Sequence, residues 1–166
     1  MTLGGQYDWT AKVYPVDDKS RPTFPADTAT LLRTLFPSTT PEAAICNVYS
    51  PGDSLSLHRD VAEASSAPLI SISMGCDAIF VVGLQDPGED AEVRSVALRL
   101  RSGDAVVMGG ESRWAWHGIA QTIGGTCPKE LEDWPAGEED AFEDWRGWMS
   151  SKRVNLNVRQ MYREVT

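Results

Sequence analysis

At 166 residues the chain is long enough for one hydrophobic core and short for two ordinary domains, so it reads as a single domain. Its 42% hydrophobic and 23% charged residues are globular composition, and no window approaches the roughly 20 apolar residues of a membrane-spanning helix, which argues against a membrane partner. A net charge of −9 weighs against a polyanionic partner, yet residues 129–144 hold eight acids against Lys129 alone, a balance of −7 that leaves −2 for everything else.

No basic and apolar leader follows Met1, and Cys46, Cys76 and Cys127 are odd in number without C-x-x-C spacing. Reduced thiols in an intracellular protein are the expectation, whether nuclear, cytoplasmic or mitochondrial. Residues 1–26 read as an extended arm that carries Tyr7, Trp9, Val13 and Tyr14 and ends in Arg21-Pro-Thr-Phe-Pro25. This arm has no amphipathic helix, so the chain is either the catalytic part of a longer product or an unusually short one. Asp27–Phe36 places Leu31, Leu32, Leu35 and Phe36 at helical spacing behind an Asp27 or Thr28 cap, and Pro37 stops it.

From Ala43 the period falls to two. Eight strands are predicted, at Ala44–Ser50, Leu55–Arg59, Pro68–Gly75, Ala78–Gly83, Val93–Leu100, Asp104–Met108, Arg113–Ala120 and Lys152–Arg159. Turn chemistry separates them at Ser50-Pro-Gly-Asp53, Asp86-Pro-Gly88, Arg101-Ser-Gly-Asp104 and Gly109-Gly110. The fold class is therefore mainly β, a jelly roll with one or two short supporting helices. Residues 128–148 read as an acidic insertion, a solvated loop before the last strand.

The chain has only two histidines, and His58 stands two residues before Asp60. On an extended segment these side chains share a face, and His117 on a distant strand could complete a set of two imidazoles and one carboxylate with open positions, the facial arrangement that suits Fe(II). Alone this spacing is weak, since half-buried histidines are common. In Arg153-Val-Asn-Leu-Asn-Val-Arg159, Arg153, Asn155, Asn157 and Arg159 share one face and Val154, Leu156 and Val158 the other. That cationic face is either an exposed edge strand or a grip for a small dicarboxylate. Asn47 and Tyr49 likewise share a face, Tyr49 either packing or closing a carboxylate pocket with Arg153. Together these residues describe a site for iron and a 2-oxoacid.

The motifs resemble the AlkB family of nucleic-acid dioxygenases over nearly the whole chain, and the branch called AlkB homologue one in particular. The resemblance is carried by Asn47-Val-Tyr-Ser-Pro-Gly52, Leu55-Ser-Leu-His-Arg-Asp60, Ala67-Pro-Leu-Ile-Ser-Ile-Ser73, Ala78-Ile-Phe80, Ser102 to Arg113, His117-Gly-Ile119 and Arg153 to Gln160, in that order. The resemblance implies a double-stranded β-helix with His58, Asp60 and His117 as catalytic metal ligands on Fe(II). It places Arg153 and Tyr49 at the distal carboxylate of 2-oxoglutarate, Arg159 and Asn47 near the other carboxylate, and Leu55, Ser71 and Asn155 in the same pocket. It further implies oxidative demethylation of N-alkylated bases in tRNA or unpaired DNA with O2, releasing formaldehyde, succinate and carbon dioxide, by a monomer.

A base must leave its stack to reach such a site. Tyr7, Trp9 and Tyr14 are then either the nucleotide lid or a cover over the sheet; Trp114 and Trp116 read as packing, and Arg113 either meets a phosphate or closes a local ion pair. Ala62 stands where several family members carry an acid that helps choose the base. Two other readings compete, a 2-oxoglutarate oxygenase acting on protein and a jelly-roll module that binds metal without turnover.

Overall fold

The computed structural model describes residues 1–15, 22–85, 92–137 and 141–162. Period-two patterning has done most of the organising. A five-stranded sheet runs in the order β1 (Thr2–Gly4), β2 (Ala43–Tyr49), β9 (Arg153–Arg159), β4 (Leu69–Gly75), β7 (Ala105–Met108). A four-stranded sheet runs β3 (Leu55–His58), β8 (Trp116–Ile123), β5 (Asp77–Gln85), β6 (Val93–Leu100). Every pairing is antiparallel, which leaves two sheets face to face as in a double-stranded β-helix.

All eight predicted strands are present, with bounds shifted by a residue or so except at β8. There the backbone of Gly110–Trp114 coils into a 3-10 turn, and the strand begins at Trp116. The arm hides a ninth strand: Thr2, Leu3 and Gly4 pair with Ile45, Ala44 and Ala43. Three residues are too few to show alternation. The Ser50–Asp53 and Arg101–Asp104 turns form alike, with Gly52 at φ 86° and Gly103 at φ 90°, and in each the aspartate carboxylate accepts from the backbone N–H three residues earlier. The expected turn at Asp86–Gly88, Arg21 in the arm, and Glu138, Glu139 and Asp140 of the acidic segment lie outside the described residues.

The outer face of the large sheet is closed by α1 (Ala26–Leu35), the single α-helix among the described residues. Pro25, rather than Asp27 or Thr28, holds the N-cap position, and no side chain caps the helix. Its fixed φ suits the entry to a helix. Ala29 and Leu32 pack with Phe24 onto Ala44, Ile70 and Val158, while Leu31 and Leu35, which share the helical spacing, are 59% and 57% exposed. Between the sheets, Tyr49, Leu69 and Met108 meet Ala78, Phe80, Leu100 and Ile119. The acidic segment contributes short 3-10 turns, Lys129–Leu131 and Glu143–Trp145, tied at the surface by Arg146 to Glu143 and Asp133. No helix among the described residues is long and apolar enough to cross a membrane.

Leu32→Ala is expected to cost about 2–5 kcal/mol in urea unfolding, whereas Leu31→Ala on the neighbouring exposed face should stay within about 0.5 kcal/mol; equal losses would mean that the helix packs by the other face.

Candidate active site

The small sheet brings the two histidines together. His58 ends β3 and is the register partner of His117 on β8, with ring centroids 4.4 Å apart. Asp60 lies just beyond the end of β3, its Oδ1 4.0 Å from His58 Nε2, and one ligand atom from each of the three residues lies within 4.8 Å of the others. Both Nδ1 atoms are tied to backbone carbonyls two residues upstream, His58 to Ser56 at 2.9 Å and His117 to Ala115 at 3.1 Å. Donation from Nδ1–H leaves Nε2 with its lone pair free, the tautomer a metal requires. Burial holds the His117 imidazolium below its usual range, so the neutral ligand form is favoured.

The approach of the two strands depends on a glycine. Between Leu55 and His58 β3 bulges by one residue against β8, and a Cβ on Gly118 would lie 2.6 Å from the Leu55 carbonyl oxygen.

Asp60 is held from behind. Its Oδ2 accepts from Arg159 Nη2 at 2.7 Å, and Arg159 Nε also bonds Glu63 Oε1 at 2.9 Å. Glu63 Oε2 in turn meets Arg113 Nη2 at 3.0 Å. Burial alone would raise the Asp60 carboxyl, but the charges of Arg159 and the two histidines outweigh it and hold it below the ordinary carboxylate value. One oxygen is thus engaged and the other left toward the histidines.

Arg113, considered for a phosphate contact, instead closes the local pair: it is 1% exposed, and its Nε, Nη1 and Nη2 donate to Ala67 O, Asp60 O and Glu63. Arg159 is similarly engaged by two carboxylates.

The large sheet supplies a second polar group. β9 lies between β2 and β4, which overturns the edge-strand alternative, and its cationic face turns inward. Tyr49 is the register partner of Arg153, and Asn47 of Asn155. Arg153 is 1% exposed with its guanidinium carbon 5.1 Å from the Tyr49 ring centroid. Its Nη2 donates to Ser73 Oγ at 3.0 Å, while its Nε and Nη1 are buried without a hydrogen-bond partner. A buried guanidinium with two idle donors has the charge and the hydrogen-bonding capacity that suit an anion. Asn155 is fixed by Ser71 Oγ at 2.8 Å and Ile72 O at 3.0 Å.

A cavity of about 490 Å³ opens beside His58, lined among others by Tyr7, Trp9, Tyr14, Asn47, Leu55, Asp60 and Arg159. Of the arm aromatics, Trp9 is 67% exposed and stands edge-on to Tyr7 at 4.8 Å. Tyr14 is buried; burial pushes its hydroxyl up to about 12, and the OH has no hydrogen-bond partner. Ala62 lines the cavity as well and brings no carboxylate to it. Trp114 and Trp116, expected to pack inside, are largely exposed and stack on Arg113 and Arg59 respectively.

Two residues escaped sequence reasoning. Glu63 looks like any loop acid three residues after Asp60, and only burial reveals its two arginine partners. Ser73 shares the inward face of β4 with Ser71, and that alternation was the signal available.

The profile of the 2OG-Fe(II) oxygenase superfamily matches residues 1–159. The N6-methyladenosine RNA demethylase ALKB1 of Pyricularia oryzae is 53% identical, aligned over 97% of this chain and 47% of its own length. The N6-methyladenosine RNA demethylase ALKBH of Cryphonectria parasitica is also 53% identical, over 97% and 74%. The tRNA demethylase abh1 of Schizosaccharomyces pombe is 44% identical, over 97% and 52%. The solved structure of OsALKBH1 has the same fold, with a TM-score of 0.72 at 21% identity, covering 96% of this chain and 76% of that one. A double sheet around two histidines and a carboxylate defines a non-haem oxygenase by class. The chain belongs to the AlkB family of the 2OG-Fe(II) oxygenase superfamily, whose cofactor and cosubstrate are Fe(II) and 2-oxoglutarate. It spans about half the length of the Pyricularia and Schizosaccharomyces relatives.

The residues present fit these groups, given two freed Nε2 atoms and the idle donors of Arg153. Gly118→Ala should weaken Mn(II) affinity tenfold or more in titration calorimetry, of the order seen when a ligand's support is lost, because β3 must move away from β8; unchanged affinity would show that the bulge does not set the site. Glu63→Ala should cost about 3–5 kcal/mol in urea unfolding, since it strands two buried arginines.

Proposed function

We propose that this chain is the catalytic domain of an enzyme that oxidatively demethylates N-alkylated bases in nucleic acid, in RNA such as tRNA or in unpaired DNA. The observation that carries the reading is the pairing of a two-histidine, one-carboxylate cluster with a buried, anion-ready arginine in one jelly roll. Residues 1–166 act as one domain, with 1–26 as the nucleotide lid and 128–148 as a peripheral acidic insertion. The relatives named as RNA and tRNA demethylases support the substrate class, and an intracellular monomer fits it.

His58 and His117 would hold Fe(II) through Nε2 and Asp60 through Oδ1. Arg153 and Tyr49 would take the distal carboxylate of 2-oxoglutarate, with Ser71 and Asn155 shaping the pocket between. Asn47 and Arg159 stand toward its other end, where Arg159, already shared by two carboxylates, acts mainly by keeping Asp60 in place. When bound, Fe(II) and 2-oxoglutarate supply a hydroxylating oxidant from O2 with release of succinate and carbon dioxide.

A hydroxylated N-methyl carbon is a hemiaminal. It collapses to formaldehyde and the bare ring or exocyclic nitrogen. The chain's part is to present the methyl group. Trp9 and Tyr7 offer faces on which an unstacked base can lie, and Tyr14, which stays protonated, offers a hydroxyl to a polar edge inside the cavity. A duplex base meets the cost of unstacking first, so loops and single strands are the favoured substrates.

The test is formaldehyde release dependent on 2-oxoglutarate from oligonucleotides carrying 1-methyladenine, 3-methylcytosine or N6-methyladenine, in single-stranded, stem-loop and duplex form. Release from at least one member, abolished by His58→Ala or Asp60→Ala, is expected. Arg153→Ala should raise the KM for 2-oxoglutarate at least tenfold, a charge-assisted contact contributing roughly 1.5–3 kcal/mol. Wild-type turnover in the Asp60 variant, or release from methylated peptides instead, would overturn the assignment.

A further inference from the structure

The protein is strongly acidic, with a net charge of −9, yet the substrate proposed for it is a polyanion. Affinity for phosphate must therefore come from a few placed cations rather than from a basic surface. Three cationic side chains line the cavity beside His58: Lys12, Arg59 and Arg159. Arg159 is buried against Asp60 and Glu63. Lys12 and Arg59 are exposed and have no ion-pair partner among the described residues. The other cations close to the site, Arg113 and Arg153, are each 1% exposed and cannot meet a strand at the surface.

The backbone that carries Lys12 and the guanidinium of Arg59 are each held in place. Lys12 belongs to a small hairpin in the arm, in which Asp8 N–H donates to Val13 O at 2.9 Å and Lys12 N–H to Asp8 O at 2.7 Å. Asp8 Oδ1 accepts from the backbone of Thr10 and Ala11, and Lys12 sits at φ 57°, a left-handed conformation uncommon for a residue with a side chain. Strain of this kind persists where a position is fixed for use. Arg59, between His58 and Asp60, lies with its guanidinium carbon 5.1 Å from the Trp116 ring centroid. An exposed tryptophan that backs an arginine pre-orders the fork and leaves its donors for an outside acceptor.

Resting on the nucleic-acid reading above, we infer that Lys12 and Arg59 form a two-point phosphate clamp at the cavity mouth, gripping the backbone beside the nucleotide whose base enters, with Trp116 as the positioning residue for Arg59. The clamp makes the footprint short. A flexible single strand or loop can bring two phosphates to it, and the acidic remainder of the surface discourages a longer track.

The test uses the whole chain loaded with Mn(II) and 2-oxoglutarate, and fluorescein-labelled single-stranded pentamers of RNA and DNA with a central N6-methyladenine, followed by anisotropy at several NaCl concentrations. Two phosphate contacts on a single strand give a slope of log affinity against log salt near −1.4, a roughly sevenfold weakening between about 50 and 200 mM. Lys12→Ala or Arg59→Ala alone should halve that slope, and the double variant should flatten it. Trp116→Ala should copy Arg59→Ala, while Trp116→Phe, which keeps an aromatic face, should restore the slope. A double variant with the wild-type slope, or a wild-type slope steeper than about −3, would overturn the clamp and leave the demethylase reading standing. A wild-type protein with no affinity for either pentamer, and no formaldehyde from any oligonucleotide, would remove both.

Discussion

Arg159 between Asp60 and Glu63 is the contact on which the site depends. Through it the central strand of the large sheet, β9, grips the segment that follows β3 on the small sheet, and through Glu63 the same chain of charges reaches Arg113 before β8. Two guanidinium groups and two carboxylates balance, so the charge left buried is small. Desolvating four ions is still expensive, and such a group is weak evidence for stability. Its value is positional. It fixes which Asp60 oxygen is occupied and which is left facing the histidines, and it connects the two sheets beside the histidine and carboxylate cluster.

The interior between the sheets is part apolar and part polar. Phe80, Leu100, Met108 and Ile119 form an ordinary apolar core, which the Tyr49 ring joins. On β2, β9 and β4 the inward positions Asn47, Arg153, Asn155, Ser71 and Ser73 are polar. The outward face of the same strands remains apolar and takes α1. A strand can carry both because successive side chains point to opposite faces. Nothing in the backbone distinguishes the polar positions. Chemistry has been written into a scaffold that the outer face and the apolar core already stabilise.

That division also explains what could be read in advance. Strands with clean alternation were legible, and so were His58, Asp60 and the arginine face of β9, because a period of two assigns a side to every residue. The AlkB-type motif order made His117 and Arg153 partners in one site before any geometry was available. β1 was illegible because three residues carry no period. On α1 the pattern misled, since Leu31, Leu32, Leu35 and Phe36 look like one face while only Ala29, Leu32 and Phe36 pack against the sheet. Glu63 and Trp116 were illegible, and Arg113 was left open between a phosphate and a local ion pair, for a deeper reason. Whether a charge is buried and paired, or a tryptophan exposed and stacked, depends on neighbours that are distant in sequence.

Arg153 shows how function and stability pull against each other in such a site. A fully buried guanidinium with two unpartnered donors is a fault in a folded protein by any accounting of polar groups, and burial drags its protonation equilibrium downward. Replacing it with an apolar side chain of similar size would remove the fault and the purpose together. On the proposed reading a carboxylate takes these donors, and a ligand that binds only the folded state would return the missing stabilisation by mass action. The protein would then gain stability as the cosubstrate enters. The same logic applies in miniature to Tyr14, whose buried hydroxyl faces the cavity alone. Arg153 lies on β9, which Arg159 ties to Asp60 and Glu63, and Tyr14 is packed against Ala43 and Met161, so both idle groups are held by the fold and little ordering remains to be done when a ligand arrives.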